Sequence, residues 1–351
     1  MLRTFVSLLL LFPLLGHAED VLHVHNWNDY IDPKVLEDFQ RDTGIRVDYQ
    51  TYSTSEEIAA RLASDQPIDV AMPSHDLLAT LIKDQRLLPL DFARLPNRKH
   101  LDPDLLAKLA AMDSGNRHAL PYLWTSAGLA VNVPQAEAAL NGPLPNSWSL
   151  LFDPQYSARL ASCGISLLDA PKEIYSGLLS YQGHNLARTS PGRLKRASAT
   201  LTALRPHLRY VDSERYIEDL NQGRLCLAVA WSGDALGAAE AGQPVQFLIP
   251  EEGAAASIDS MVIPRTAQRV DLAYRFIDYL MQPQVAARTT SVTFYPSGNA
   301  GAREFLAPNL RDNPTLYPDR DTKRRLVLLE TVTPKLQAVI DDQWPRFRDA
   351  Q

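Results

Sequence analysis

The sequence predicts an α/β protein folded as two lobes, and three observations carry that reading. Strand and helix patterns alternate through the first hundred residues, the alternation returns in the middle of the chain, and the chain is long for a single hydrophobic core.

Val21 to His25 reads as a strand. Asp32-Pro33 supplies an N-cap and a proline in the first helical turn, Val35, Leu36 and Phe39 form an apolar stripe, and Gly44 ends that helix. Ile45 to Tyr49 is a second strand, Ser53-Thr54-Ser55-Glu56 a capping box opening a helix to Ser64, and Ile68 to Met72 a third strand leading to the helix after Ser74. Strands separated by helices in this order pair in parallel through crossovers. In the middle of the chain Ser166 to Leu168 is a strand entering Asp169-Ala170-Pro171 and a helix through Tyr181. Ser213 caps a helix that closes at Gly223, and Leu225 to Trp231 is an apolar strand turning through Ser232-Gly233-Asp234. Helical pattern dominates the last hundred residues, notably Leu272 to Met281 and Lys323 to Ala338, with a Pro-rich stretch between.

The N-terminus predicts export. Met1-Leu2-Arg3 is a short basic start, Phe5 to Leu15 is apolar apart from Ser7 and Pro13, and Gly16-His17-Ala18 offers small residues before a cleavage. The apolar run is shorter than the roughly 20 residues that span a bilayer, and no cysteine follows it to carry a lipid. Residues 1–18 therefore read as a signal peptide, and a mature protein starting near Glu19 is expected in the periplasm. Its length of about 330 residues exceeds the comfortable size of one core, so two lobes are expected. The net charge of −6 falls one unit further when Arg3 is removed. That sign argues against a nucleic-acid partner and suits a cationic ligand, as it also suits solubility alone. Two cysteines in an oxidising compartment suggest a single Cys163–Cys226 disulfide; two buried thiols are the alternative.

The most informative stretch is Asn26-Trp27-Asn28-Asp29-Tyr30, where the first strand runs out. Aromatic faces beside a carboxylate attract a small organic cation, and the rings cover attached methylenes. Two core side chains flanking a turn would look the same. Ligands of open α/β sheets bind beyond the carboxyl ends of strands, and Asp29, Ser74, Glu173 and Asp234 all follow predicted strands there. Each has a plainer role open to it: Asp29 precedes a turn, Glu173 lies in a first helical turn, and Asp234 is placed to cap a helix.

Enzymatic readings find no support. His23 and His25 share a strand face but lack a third metal ligand, and Ser74-His75-Asp76 are neighbours that cannot form a triad. No Gly-x-Ser-x-Gly elbow or Gly-rich phosphate loop occurs. No metal and no cofactor are implied.

Taken together the residues resemble the periplasmic polyamine-binding proteins of bacterial ABC uptake systems, closest to the putrescine-binding branch. The resemblance spans the mature chain and rests on Asn26–Tyr30, Thr43-Gly44-Ile45, Pro73-Ser74, Leu101-Asp102-Pro103, Leu120–Trp124, Leu168–Pro171, Trp231–Asp234, Ile249–Gly253, Asp259 and Phe294-Tyr295. It implies a type II periplasmic-binding-protein fold, two α/β lobes joined by two crossover strands around a ligand cleft. The crossovers would lie near Trp124 to Val131 and Glu252 to Met261. Lobe 1 would comprise residues 19–126 and 260–305, and lobe 2 residues 127–259 and 306–351.

By that resemblance Trp27 and Trp231 would be aromatic walls, Tyr30 and Tyr295 phenolic ones, and Asp234 with Asp259 would grip one ammonium. Glu173, Asp29, Asn28 and Ser74 would serve the other end, with Ser213 and Ser257 also lining the cleft. The family's disulfide falls on Cys163 and Cys226. An alkyl diammonium needs a carboxylate at each charged end and aromatic cover between them, which agrees with this set.

Four positions depart from the family pattern. Ser257 replaces an aromatic residue, Asp76 replaces a small hydroxyl, Asn28 replaces a smaller Ser or Thr, and Lys172 stands beside Glu173 where a second acid is common. Ser257 and Asp76 predict a roomier and more acidic cleft that accepts a longer or bulkier amine. The partner expected is an ABC permease engaged by the ligand-closed monomer; the alternative is a periplasmic amine sensor docking on a membrane signalling receptor.

Overall fold

The computed structural model describes residues 21–350, so the expected signal peptide lies outside the described residues. Ten strands form one sheet: β1 (Val21–Trp27), β2 (Arg46–Tyr52), β3 (Val70–Ala71), β4 (Ala119–Asn132), β5 (Ile165–Leu167), β6 (Tyr210–Val211), β7 (Leu227–Trp231), β8 (Val245–Leu248), β9 (Ala254–Val262) and β10 (Leu326–Leu328). They run in the order β2-β1-β3-β9-β4-β7-β5-β6, with β8 added to β4 and β10 to β9. The first three strands are mutually parallel, as are β6, β5 and β7. This is the expected pair of α/β units.

The units meet on β4 and β9. From Ala119 to Ala127, β4 pairs antiparallel with β9, and from Ala127 onward it pairs with β7 and then also with β8. Its Leu120, Tyr122 and Leu123 enter a core with Val24, Phe39 and Phe276, while its Leu129 and Val131 enter another around Trp148, Tyr175 and Tyr216. A strand feeding two cores is buried almost throughout, and the half-buried Trp124 is its one break. The segments expected as crossovers, near Trp124 to Val131 and Glu252 to Met261, fall largely on β4 and β9.

Local signals account for most element ends. Asp32 accepts from the Lys34 amide at 2.9 Å to open the helix Pro33–Thr43, and Gly44 closes it at φ +72°, a left-handed position glycine adopts without a Cβ clash. Two caps differ from expectation. The helix Ser55–Ala63 is capped by Thr54, with Glu57 accepting from the Ser53 amide, one residue beyond the expected box. Ser213 is not a cap: Asp212 accepts from the Glu214 and Arg215 amides, both at 2.8 Å, and the helix runs from Arg215 to Asn221.

The expected helix from Lys323 to Ala338 is also absent. A short helix Arg320–Arg325 gives way to β10, where Leu326 and Leu328 pair with Ala254 and Ala256 of β9. A helix Pro334–Arg348 then restarts on the Thr333 cap with Pro334 in its first turn. Pairing on the free edge of β9 outweighs the local helical pattern, and it makes a third connection across the middle of the sheet.

Cys163 and Cys226 form a disulfide with Cα atoms 5.5 Å apart and 63 residues apart in sequence. It ties the end of the helix Pro154–Leu160 to the residue before β7. Closing a loop of this length restricts the unfolded chain, and reduction is expected to lower the unfolding free energy by about 2–4 kcal/mol. Denaturant unfolding with and without reductant checks this, and two titratable thiols in unreduced, denatured protein would refute the bridge.

Candidate functional site

The site is built where β1, β3 and β7 end and β9 passes between the units. β1 delivers Trp27 and then turns through Asp29, whose φ of +52° is left-handed, so that Asn28 and Asp29 are exposed while Tyr30 is buried. The Trp27 indole donates to the Met72 carbonyl at 2.9 Å and its ring lies 4.7 Å from that of Tyr52. It is a fixed wall.

Two carboxylates face one pair of aromatic rings. Asp259 accepts from the Tyr30 hydroxyl at 2.7 Å and from Ser74, and Asp234 accepts from the Tyr295 hydroxyl at 2.8 Å and from Tyr216. The rings of Tyr30 and Tyr295 are 5.0 Å apart, so each carboxylate is held by one member of the same pair. Gly233 permits this approach, because a Cβ there would stand 2.6 Å from the Tyr295 ring. The Tyr122 hydroxyl donates to the Tyr30 carbonyl at 2.8 Å and fixes the wall from behind. Trp231, half-buried, packs against both large cores.

Burial raises both carboxyls to about 6. The hydroxyl donors stabilise the charged forms and only partly offset the lost hydration, and Asp29 adds its repulsion to Asp234 as Asp76 does to Asp259. Neither carboxyl has a basic partner among the described residues. The capping role open to Asp234 is not the one it takes: it lies in the first turn of the helix Ser232–Glu240, but its carboxyl accepts phenol hydroxyls.

Three of the four departures, Ser257, Asp76 and Lys172, lie together around His75. Ser257 is buried, 3.3 Å from Nδ1 of His75. That nitrogen also accepts from the Ile258 amide at 3.3 Å, and Nε2 donates to the Leu329 carbonyl at 2.9 Å, which defines a neutral imidazole. Burial lowers the His75 pKa in keeping with this. Asp76 is not the added free anion expected from the sequence, because Lys172 Nζ lies 2.8 Å from its Oδ2. Glu173, in the first turn of the helix Pro171–Tyr181, is pushed up to about 7, chiefly by desolvation and further by Asp76, with Lys172 opposing.

Asn28 donates to Ser53 at 2.7 Å, and Ser53 donates to Glu214 at 3.0 Å, so the first unit is bonded to the second beside the site. Ser213 stands in the loop before Glu214, and its neighbour makes the crossing. Tyr216, His75, Ser53 and Glu214 take part without having been expected. Lys172 was visible as a departure, but the helix carrying Tyr216 offers no mark separating that phenol from any other core tyrosine.

The arrangement does not assemble a relay. Ser74 donates to Asp259 and not to His75, whose ring nitrogens are committed to backbone groups and Ser257. His23 contacts Asp48 at 2.9 Å and His25 contacts Arg61 at 3.1 Å, so the two strand histidines serve different partners.

Comparison with known proteins shows the family and the fold. The model for the bacterial extracellular solute-binding protein family matches residues 34–318. The chain is 35% identical to the putrescine-binding periplasmic protein SpuD of Pseudomonas aeruginosa, over 99% of this chain and 98% of that one. It is also 35% identical to the putrescine-binding periplasmic protein PotF of Escherichia coli, over 96% and 94%. Among solved structures, the spermidine/putrescine transporter substrate-binding protein PotD of Streptococcus pneumoniae superposes with a TM-score of 0.80 at 26% identity, covering 94% of this chain and 99% of that one. The type II two-lobe fold implied by the resemblance is the fold these proteins share, and the chain belongs to the bacterial extracellular solute-binding protein family.

Proposed function

We propose that this protein captures a linear cationic amine, a polyamine or a related compound, between its two lobes in the periplasm and hands it to the permease of an ABC importer. The observation that carries the proposal is the pair Asp234 and Asp259, held on a shared Tyr30–Tyr295 wall and raised in pKa, with no basic partner among the described residues. An ammonium between them would supply the missing charge while Trp27 and Trp231 cover its methylenes. The putrescine-binding names of its relatives support the same ligand class.

We take lobe 1 as residues 19–126 and 260–305 and lobe 2 as 127–259 and 306–351. Contacts from Ser53 to Glu214, Asp76 to Lys172 and Tyr295 to Asp234 then cross the cleft. A ligand touching both sides favours the closed arrangement by its differential affinity for it. Closure would form the surface read by the permease. Asp29 and Glu173 would contribute to the ligand's field, and Ser74 would act by holding Asp259. Asn28 would act through Ser53, while Ser257 and Ser213 would line the margin of the site.

Amine binding is expected to show as a thermal shift with putrescine, cadaverine, spermidine or agmatine, since ligand at a hundred times its Kd adds about 2.7 kcal/mol of stability. A flat response across the panel would remove the proposal. Asp234→Asn should weaken amine binding by about 2–5 kcal/mol, because it leaves the bound ammonium short of a charge partner. The ligand-free melting temperature should change little, and equal losses in both would mark a purely structural residue.

The raised carboxyls give the pH dependence a sign. In the ligand-free protein each holds its proton to a higher pH than in the unfolded chain, so its stabilising contribution is full below the ordinary carboxyl range and is lost as pH rises through about 6. An ammonium prefers the ionised forms and acts oppositely. The ligand-induced thermal shift should therefore be larger at about pH 7.5 than at about pH 5.5, and a shift that grows on acidification would contradict the assignment.

A further inference from the structure

We propose that Lys172 serves as a built-in ammonium at the acidic far end of the cleft, standing where a second ligand charge would go, so that the site discriminates against amines with additional charges. This rests on the amine-binding reading above and assigns its selectivity.

Lys172 opens the helix Pro171–Tyr181 and reaches across the cleft to Asp76, in the first turn of the helix His75–Lys83. The side chains are 26% and 12% exposed, so the pair is shielded from solvent well beyond a surface ion pair. Glu173 and Glu56 act on the same ammonium, and Asp76 acts in turn on Glu173 and Asp259. One cation thus sits among the acids available to the far end of a diamine whose near end lies at Asp234 and Asp259.

The backbone that carries Asp76 is held in place. Its neighbour His75 is anchored on both ring nitrogens, to Ile258 and Ser257 on β9 and to the Leu329 carbonyl beyond β10. Being neutral, His75 also supplies no competing charge. A tethered ammonium has a high effective concentration at its site. An arriving ligand ammonium must displace it or lie beside a like charge, and such a repulsive element is a common source of specificity. The cleft is therefore less acidic at this end than Asp76 alone suggests, and the preference for longer amines expected from the sequence is reversed.

Calorimetry with butylamine, putrescine and spermidine on the full-length mature protein tests this. In Lys172→Met the affinity of spermidine relative to butylamine should rise at least about tenfold over wild type. In Asp76→Asn, which leaves the lysine without its counter-ion, the ratio should fall. Lys172→Gln should follow Lys172→Met if the charge is responsible, and melting temperatures report whether each variant is folded. An unchanged or lowered ratio in the folded lysine variants, including an equal loss for all three amines as a simple lobe latch would give, overturns the role of Lys172 while leaving amine binding intact. Failure of wild type and variants alike to bind any of the three would instead overturn the amine reading itself, and this inference with it.

Discussion

Two carboxylates desolvated on one tyrosine wall, with no basic side chain among the described residues to neutralise them, are the constraint to which the surrounding structure responds. Removing Asp234 and Asp259 from water without a basic partner is unfavourable, and hydroxyl donors recover only part of the lost hydration. Around this the fold spends special positions: Gly233 lets a ring pass, Tyr122 braces Tyr30 from behind, and Tyr216 is turned inward from its helix to reach Asp234. Residues held this way against their own stability make this place the candidate site, where an ammonium would complete the electrostatics.

The same constraint explains why the site lies on the crossovers. Asp259 is on β9, bridged to Ser74 and paired through β9 to the long strand β4. Asp234 comes from the end of β7, which pairs with the other half of β4. Asp259 is thus on a shared strand, and Asp234 lies in the helix that follows β7, whose Trp231 pairs with Ala127 of β4. Tyr295 joins the two units here, since it packs with the first core and hydrogen-bonds to Asp234 of the helix after β7.

Three of the departures from the family pattern are instructive because they meet in space around His75 and Asp76. Read singly, Ser257 removes a wall and Asp76 adds an acid. In the structure Ser257 is near His75, which anchors the chain beyond β10, and Asp76 is paired with Lys172. What reads as a larger, more negative cleft becomes a different internal hydrogen-bond and charge arrangement. Neighbours in space but 96 residues apart in sequence, Lys172 and Asp76 compensate each other, and no local pattern announces such a pairing.

The sequence by itself determined the alternation of strands and helices, the caps at Asp32 and Gly44, the disulfide partners and the turn that presents Trp27 and Asp29, because each depends on a few adjacent residues or on composition. Tertiary structure alone decided the rest. It made β10 a strand where the local pattern favours helix, because the edge of β9 offered unpaired backbone groups. It turned Asp234 from a cap into a phenol-held carboxylate and joined Asp76 to Lys172, because hydrogen bonds and charges act over ångströms in space whatever the distance along the chain.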